Sequence, residues 1–196
     1  MIQKLIELLK QSPSIGTILR YGDLIELPNW YIAAGAIPTV VWNRIVANEP
    51  EKFLHDIDIV YYDDRDISEM AEAHAEKQVK ALFPEIPHKI DVKNQARVHT
   101  WYRDKTGKSI LQYPSVEAAI DMWLSVTAVG IRPMRGRYKV YAPYGLDDLF
   151  SMEVKPNRRI ISAEHYRKKA AKWKSQWPEL TVFEYEFVGS DTRKGQ

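Results

Sequence analysis

His55-Asp56-Ile57-Asp58-Ile59-Val60, running on into Tyr61 and Tyr62, is the stretch on which the fold reading turns. Residues 57–62 are rich in β-branched and aromatic side chains, which predicts a strand, and the acidic run behind them predicts a turn. On a strand the side chains at i and i+2 point to one face, so Asp56 and Asp58 project together from an otherwise apolar segment. Two carboxylates held side by side repel each other and call for a compensating cation, and hard oxygen donors of this kind favour Mg²⁺ or Mn²⁺. Taken in isolation the pair reads equally well as two exposed acids at a strand edge.

The context upstream adds to the metal reading. Residues 30–34 predict a short buried strand that ends in Ala33-Ala34-Gly35-Ala36 and feeds a helix over 36–46. A small-residue turn from strand to helix lets phosphates approach backbone N–H groups at the helix N-terminus, where the dipole also favours anions. Residues 89–93 predict a further strand.

Working outward, Ile2, Leu5, Ile6 and Leu9 form one apolar stripe on an N-terminal helix that stops near Pro13. A second helix is expected over about 15–26, before Pro28 and Asn29. Asp66 with Glu69 resembles a capping box opening a helix to about Phe83. Residues 94–102 fit strand or helix, and Ser115 opens a helix ending near Ser125. Strand-like residues 127–142, broken at Arg135-Gly136-Arg137, predict a hairpin. A helix over 162–177 carries Tyr166, Ala170, Trp173 and Trp177 on one side, residues 181–187 alternate as a last strand, and 189–196 read as a flexible tail. This mixture predicts an α/β or α+β fold, a small mixed sheet flanked by helices, in one domain over 1–188 with a helical N-terminal segment and a C-terminal helix-strand extension.

A chain of 196 residues with 45% hydrophobic and 11% aromatic content has the means to build a packed core. The 28 basic and 26 acidic residues leave a net charge of +2, so any nucleic-acid surface must be a local patch. Without cysteine there is no disulfide, thiolate metal site or cysteine nucleophile. No uninterrupted apolar span is present, which argues against membrane insertion and makes the cytoplasm the expected location.

Residues 30–42, 55–62, 92–99, 127–130 and 142–149 together resemble the polymerase-β-like nucleotidyltransferases, closest to a bacterial group of small nucleotidyltransferase-like proteins. The likeness extends over about residues 15–180. That family's signature is a Gly-Gly or Gly-Ser turn, then Asp-x-Asp, then a third acid on a later strand, a position that Ile90-Asp91-Val92 matches. The chain also looks like the head domain of CCA-adding tRNA nucleotidyltransferases, to whose later Gly-Gly-x-x-Asp-Leu segment Gly145-Leu146-Asp147-Asp148-Leu149 is similar. The resemblance implies transfer of a nucleoside monophosphate from a nucleoside triphosphate to a hydroxyl acceptor by two metal ions. Asp56 and Asp58 would hold both, while Asp91 would hold one and help deprotonate the acceptor. It also implies a phosphate-binding turn at Gly35, Ala36 and Thr39. Three departures stand out: Pro38 occupies the place of the usual arginine, Thr39 that of an Asn or Asp, and Ala36 that of the second turn glycine. The Arg-Arg-Asp-Phe-Thr-x-Asn-Ala pattern of CCA-adding enzymes is mostly absent near Thr127. A fold-retaining binding module without catalysis is the alternative that Pro38 favours.

Lys93, Asn94, Arg97 and His99 follow the third acid and either line the cleft, with Lys93 or Arg97 replacing the lost phosphate contact, or form a structural network. His55 and His74 lack zinc-site spacing. Asp147 and Asp148 suit a turn-and-cap role, and Trp123, Trp173 and Trp177 a core role. Seven basic residues, Arg158, Arg159, Arg167, Lys168, Lys169, Lys172 and Lys174, stand against the single acid Glu164. That face reads as a solvated helix surface or as a contact for an RNA acceptor. The acceptor is left open between small molecule, RNA and protein.

Overall fold

The computed structural model describes residues 1–157 and 162–185 of the 196-residue chain. The helices are α1 (Ile2–Lys10), α2 (Pro13–Tyr21), α3 (Ala36–Ile45), α4 (Glu69–Leu82), α5 (Val98–Thr106), α6 (Val116–Ile120), α7 (Asp147–Phe150) and α8 (Ala163–Gln176). The strands are β1 (Tyr31–Ala33), β2 (Asp56–Tyr61), β3 (Lys89–Asn94), β4 (Gly130–Met134), β5 (Arg137–Tyr141), β6 (Glu153–Val154) and β7 (Thr181–Val182). Among the described residues a five-stranded sheet runs in the order β3-β2-β1-β4-β5, and β6 pairs with β7. Only β2 and β3 are parallel in the larger sheet, with α4 as their crossover, so the expected mixed α/β fold is what forms.

Local chemistry moves several boundaries. Pro13 starts α2 rather than breaking a helix, because a first-turn residue needs no intrahelical N–H, and the Ser12 hydroxyl accepts from Ile15 N at 3.2 Å. That helix ends at Tyr21 and gives way to a 3₁₀ turn, Gly22–Leu24. The cap of α4 is Ser68, two residues beyond the Asp66 expected there; Ala71 N donates to its hydroxyl at 3.1 Å, while Asp66 accepts from Ser68 N at 2.9 Å. On α1 the stripe keeps Leu5, Ile6 and Leu9 buried but leaves Ile2 exposed. The ambiguous segment 94–102 becomes a 3₁₀ turn, Gln95–Arg97, followed by α5. The β4–β5 connection places both Arg135 (φ 51°) and Gly136 (φ 76°) in the left-handed region, as a two-residue hairpin turn of the primed type requires. Among the described residues of the expected last strand, Thr181 and Val182 form β7 and Phe183 N donates to Val154 O at 2.9 Å; residues 186 and 187 lie outside the described residues.

One face of the sheet, with Ile32, Ile57, Ile59, Ile90 and Val92, joins the main core shared with α1, α2, α3 and α4. Helix α3 is buried along its length from Ala36 to Asn43. Trp42 on α3 meets Trp173 and Trp177 edge-on, with centroids 5.6 and 5.2 Å away, and Trp177 Nε1 donates to the buried Asn43 Oδ1 at 2.9 Å. This packing fixes α8 against α3. The opposite face, on which Asp56 and Asp58 lie, has a smaller cluster of Tyr31, Ala33, Val60, Val116, Ile120 and Ala128.

Glu51 ties the N-terminal helices to the loop before β2. Its carboxylate accepts from Ser12 Oγ (2.5 Å), Ser14 N (2.6 Å) and Ser14 Oγ (3.0 Å), and lies 2.9 Å from His88 Nε2. Burial by itself would raise its pKa, but these hydrogen bonds outweigh burial and hold the carboxyl below its ordinary value. A depressed carboxyl contributes stability above its unfolded pKa and loses it as pH falls through the folded one. Glu51→Gln is therefore expected to cost about 2 kcal/mol in urea unfolding at pH 7. The gap to wild type should close as pH drops below about 4.

Candidate active site

The register of β2 and β3 pairs Asp56 with Lys89 and Asp58 with Asp91, while across β1 Asp58 faces Ala33. Parallel in-register strands put paired side chains on the same face, so Asp91 comes to the side of the sheet that Asp56 and Asp58 occupy. Each of the three offers a carboxylate oxygen, and these oxygens lie within 4.8 Å of one another. Ala33 contributes only a methyl group beside Asp58, which leaves room above it. Lys89 and Lys93, two residues either side of Asp91 on the same strand, each place Nζ 3.1 Å from its oxygens.

Burial foremost, then the charges of Asp56 and Asp91, push the Asp58 carboxyl up to about 7, against a smaller pull from Lys169 and Lys89. At Asp91 burial again acts upward, but the hydrogen bonds from Lys93 and Lys89 prevail and hold the carboxyl below its usual value. In the absence of metal, Asp58 is thus the group that carries the strain of the cluster. A carboxyl whose folded pKa is raised binds its proton in the folded state while the unfolded chain releases it, so stability falls between about pH 4 and about pH 7. Asp58→Asn should consequently stabilise the EDTA-treated protein at pH 8, by roughly 2 kcal/mol after allowance for solvent screening, and by less at pH 5. Thermal and urea unfolding at the two pH values check this; a gain at pH 8 no larger than that at pH 5, or a loss at pH 8, contradicts it.

The turn leading out of β1 holds Ala34 in the left-handed region (φ 57°), a conformation that costs a residue with a Cβ about 1 kcal/mol or more. Gly35 is the N-cap of α3, and no side chain caps this helix end. A Cβ added at Gly35 would meet nothing within 4 Å, so the space in front of the turn is open. The Thr39 hydroxyl and amide both donate to Gly35 O, at 2.8 and 3.2 Å, and the residue is buried. Pro38 sits third in the helix, where its missing N–H is one that would have no intrahelical partner.

Asp58 and Ala34 belong to the floor of a cleft of about 890 Å³. One wall carries Lys93, Gln95 and Arg97 with Trp101 and Tyr102 of α5; the other carries Trp123, Thr127 and, from α8, His165, Lys168 and Lys169. Lys93 also lies 3.6 Å from both Glu72 and Glu76, and Arg97 Nη1 donates to Glu72 Oε1 at 3.1 Å. Asn94 does not face the cleft: it is buried, with Nδ2 donating to Asp63 O at 2.7 Å and Oδ1 accepting from Asp63 N and Ala96 N, both at 3.1 Å. His99 leaves Nδ1 buried without a partner. His55 and His74 are exposed. Asp148 accepts from Ser125 Oγ (2.7 Å) and Lys155 Nζ (2.6 Å), and α7 has no side-chain cap, so neither Asp147 nor Asp148 caps it.

Sequence reasoning did not single out Trp101, Tyr102, Tyr113 or Lys169 as cleft residues, and it set Trp123 in the core, whereas the Trp123 side chain is half-buried in the cleft wall. The aromatic-rich composition was the available signal. Trp173 and Trp177 do lie in the core. The basic residues of the C-terminal segment divide: Lys168 and Lys169 line the cleft, Lys174 donates to Pro178 O and Leu180 O, and Arg158 and Arg159 lie outside the described residues.

The chain thus combines a five-stranded mixed sheet with three acids that its two parallel strands bring together. Residues 22–182 match the sequence family described as Nucleotidyltransferase, and the chain belongs to that family. Its fold is similar to a solved structure described as "The NMR structure of the protein reveals a CCA-adding enzyme head domain", with 26% identity, a TM-score of 0.73, and 93% of this chain and 95% of that one covered. No curated protein matches the chain. Among the described residues no helix is long and apolar enough to cross a membrane.

Proposed function

We propose that this protein transfers a nucleoside monophosphate from a nucleoside triphosphate to a hydroxyl group, using divalent cations held by Asp56, Asp58 and Asp91. The observation that carries this reading is the meeting of the three carboxylates within 4.8 Å of one another, with Asp58 among them lining an open cleft. The donor set fits a hard divalent ion: all ligands are carboxylate oxygens, and Asp58 resists ionisation without a countercharge beyond its lysine neighbours. Mg²⁺ or Mn²⁺ suits that chemistry. When bound, such ions neutralise the departing pyrophosphate and acidify the attacking hydroxyl.

The chain's own residues account for the remaining steps. Asp91, at the edge strand, takes the proton of the acceptor hydroxyl, and Lys89 and Lys93 hold its carboxylate in place at 3.1 Å. The turn at Gly35 and Ala36 offers backbone N–H groups and open space to a phosphate, with Thr39 bracing the turn from behind. Trp101, Tyr102 and Trp123 give the cleft flat apolar surfaces suited to a nucleobase. An acceptor of small-molecule, RNA or protein nature all remain compatible with an open cleft, and the reaction suits a cytoplasmic setting with abundant nucleotide.

Pro38 favours a second reading, a module that binds nucleotide without turning it over, since the family's usual arginine is missing there. Transfer of labelled nucleotide in Mn²⁺ separates the two. The first reading expects labelling by wild type and a loss of roughly a hundredfold or more in Asp56→Asn and Asp58→Asn. Labelling unchanged in these variants removes the aspartates from the chemistry. Metal-dependent triphosphate binding in calorimetry, with no labelling at all, supports the second reading instead.

A further inference from the structure

The cleft's cations are not equivalent. Lys93 is shared among Asp91, Glu72 and Glu76, and Arg97 is paired with Glu72, so both meet carboxylates of their own wall. Neither offers an uncompensated charge to a ligand. Lys169 and Lys168 differ: both line the cleft, and among the described residues no carboxylate forms an ion pair with either. The ring of Trp173, 5.6 Å from the Lys169 ammonium, is an apolar support.

The placement of these lysines is set by packing. Tyr166, Ala170 and Trp173 form the buried side of α8, and the Tyr166 hydroxyl donates to Val154 O at 2.8 Å. With that side seated against α3, residues 165, 168 and 169 turn together toward the cleft. The Lys169 charge acts on Asp58 without touching it. Burial foremost, with repulsion from Lys172, pulls the Lys169 ammonium below its ordinary pKa, and the attraction of Asp58 offsets only part of this. The residue is exposed, and among the described residues its ammonium forms no ion pair.

We infer that Lys169, seconded by Lys168, is the positioning residue for the polyphosphate end of the triphosphate, taking from α8 the role left vacant by Pro38 on α3. This rests on the nucleotidyl-transfer reading for its ligand, but the anion site stands or falls by itself. It also makes part of the basic C-terminal stripe a lining of the catalytic cleft rather than an outward-facing surface. An anion lying between the α3 N-terminus and α8 meets a helix dipole on one side and two unneutralised ammonium groups on the other.

The test is calorimetric binding of magnesium tripolyphosphate to the full chain, alongside the KM for nucleoside triphosphate. Lys169→Met should weaken tripolyphosphate binding roughly ten- to hundredfold, Lys168→Met should add to that loss, and Lys169→Arg should recover most of it. Lys169→Met should also raise KM more than it lowers kcat, with an unfolding midpoint no lower than wild type. Lys93→Met should affect tripolyphosphate binding less than Lys169→Met does. Equal affinity in wild type and Lys169→Met overturns the inference, as does a loss that Lys169→Arg fails to restore or a wild type that binds no tripolyphosphate. Tripolyphosphate binding through Lys169 without any nucleotide transfer upholds the anion site and defeats the enzymatic reading. Transfer that is indifferent to Lys169 does the reverse.

Discussion

Like charges resist being brought together, and the arrangement of this molecule follows from forcing three of them to meet. The hydrogen-bond ladder between β2 and β3 fixes Asp58 opposite Asp91, and the two-residue period of β2 sets Asp56 beside them. The chain answers that repulsion unevenly. Asp91 receives two lysines from its own strand, while Asp58, more deeply set, is left to hold a proton or await a cation. Stability is given up at one point of the sheet so that a site can exist there, as is usual where function needs an unfavourable arrangement.

The rest of the fold serves to make that arrangement rigid and reachable. Helix α3, buried along most of its length, aims its uncapped start at the space in front of Gly35. The contacts of Trp42 with Trp173 and Trp177 carry α8 along with it, so the C-terminal helix supplies both a core face and a cleft wall. On the sheet face that carries the acids, α6 packs Val116 and Ile120 with Tyr31 and Val60. Opposite α8 stand Trp101 and Tyr102, beside Lys93 and Arg97, so aromatic and cationic side chains line both walls of the cleft.

Much of this was legible in the sequence. The alternation at 56–61 gave both the strand and the shared face of its two acids, and the apolar frame of Asp91 gave the third, because strand periodicity is a local property. Helix starts were unevenly legible: Ser115 and Ser162 open helices where the sequence placed them, but Asp66 was read as the cap in place of Ser68 and Ser12 was not read as a cap at all, since capping depends on which hydroxyl the backbone turns toward its own amides. Least legible were the cleft walls. Asn94 and Arg97 stand next to the third acid in sequence, yet one is spent on Asp63 and the other on Glu72. Lys169, nearly eighty residues further along, reaches the acids through tertiary packing that no local pattern reports.

Paramagnetic broadening of backbone amide signals by substoichiometric Mn²⁺ probes the shared cation site most directly. One site formed by Asp56, Asp58 and Asp91 predicts that broadening peaks together on β2 around 56–58, on β3 around Asp91 and on the turn at 33–36, and that Asp91→Asn weakens it at all three places. Broadening centred on the exposed acids at 63–66, or β2 broadening that survives Asp91→Asn unchanged, would contradict a common site.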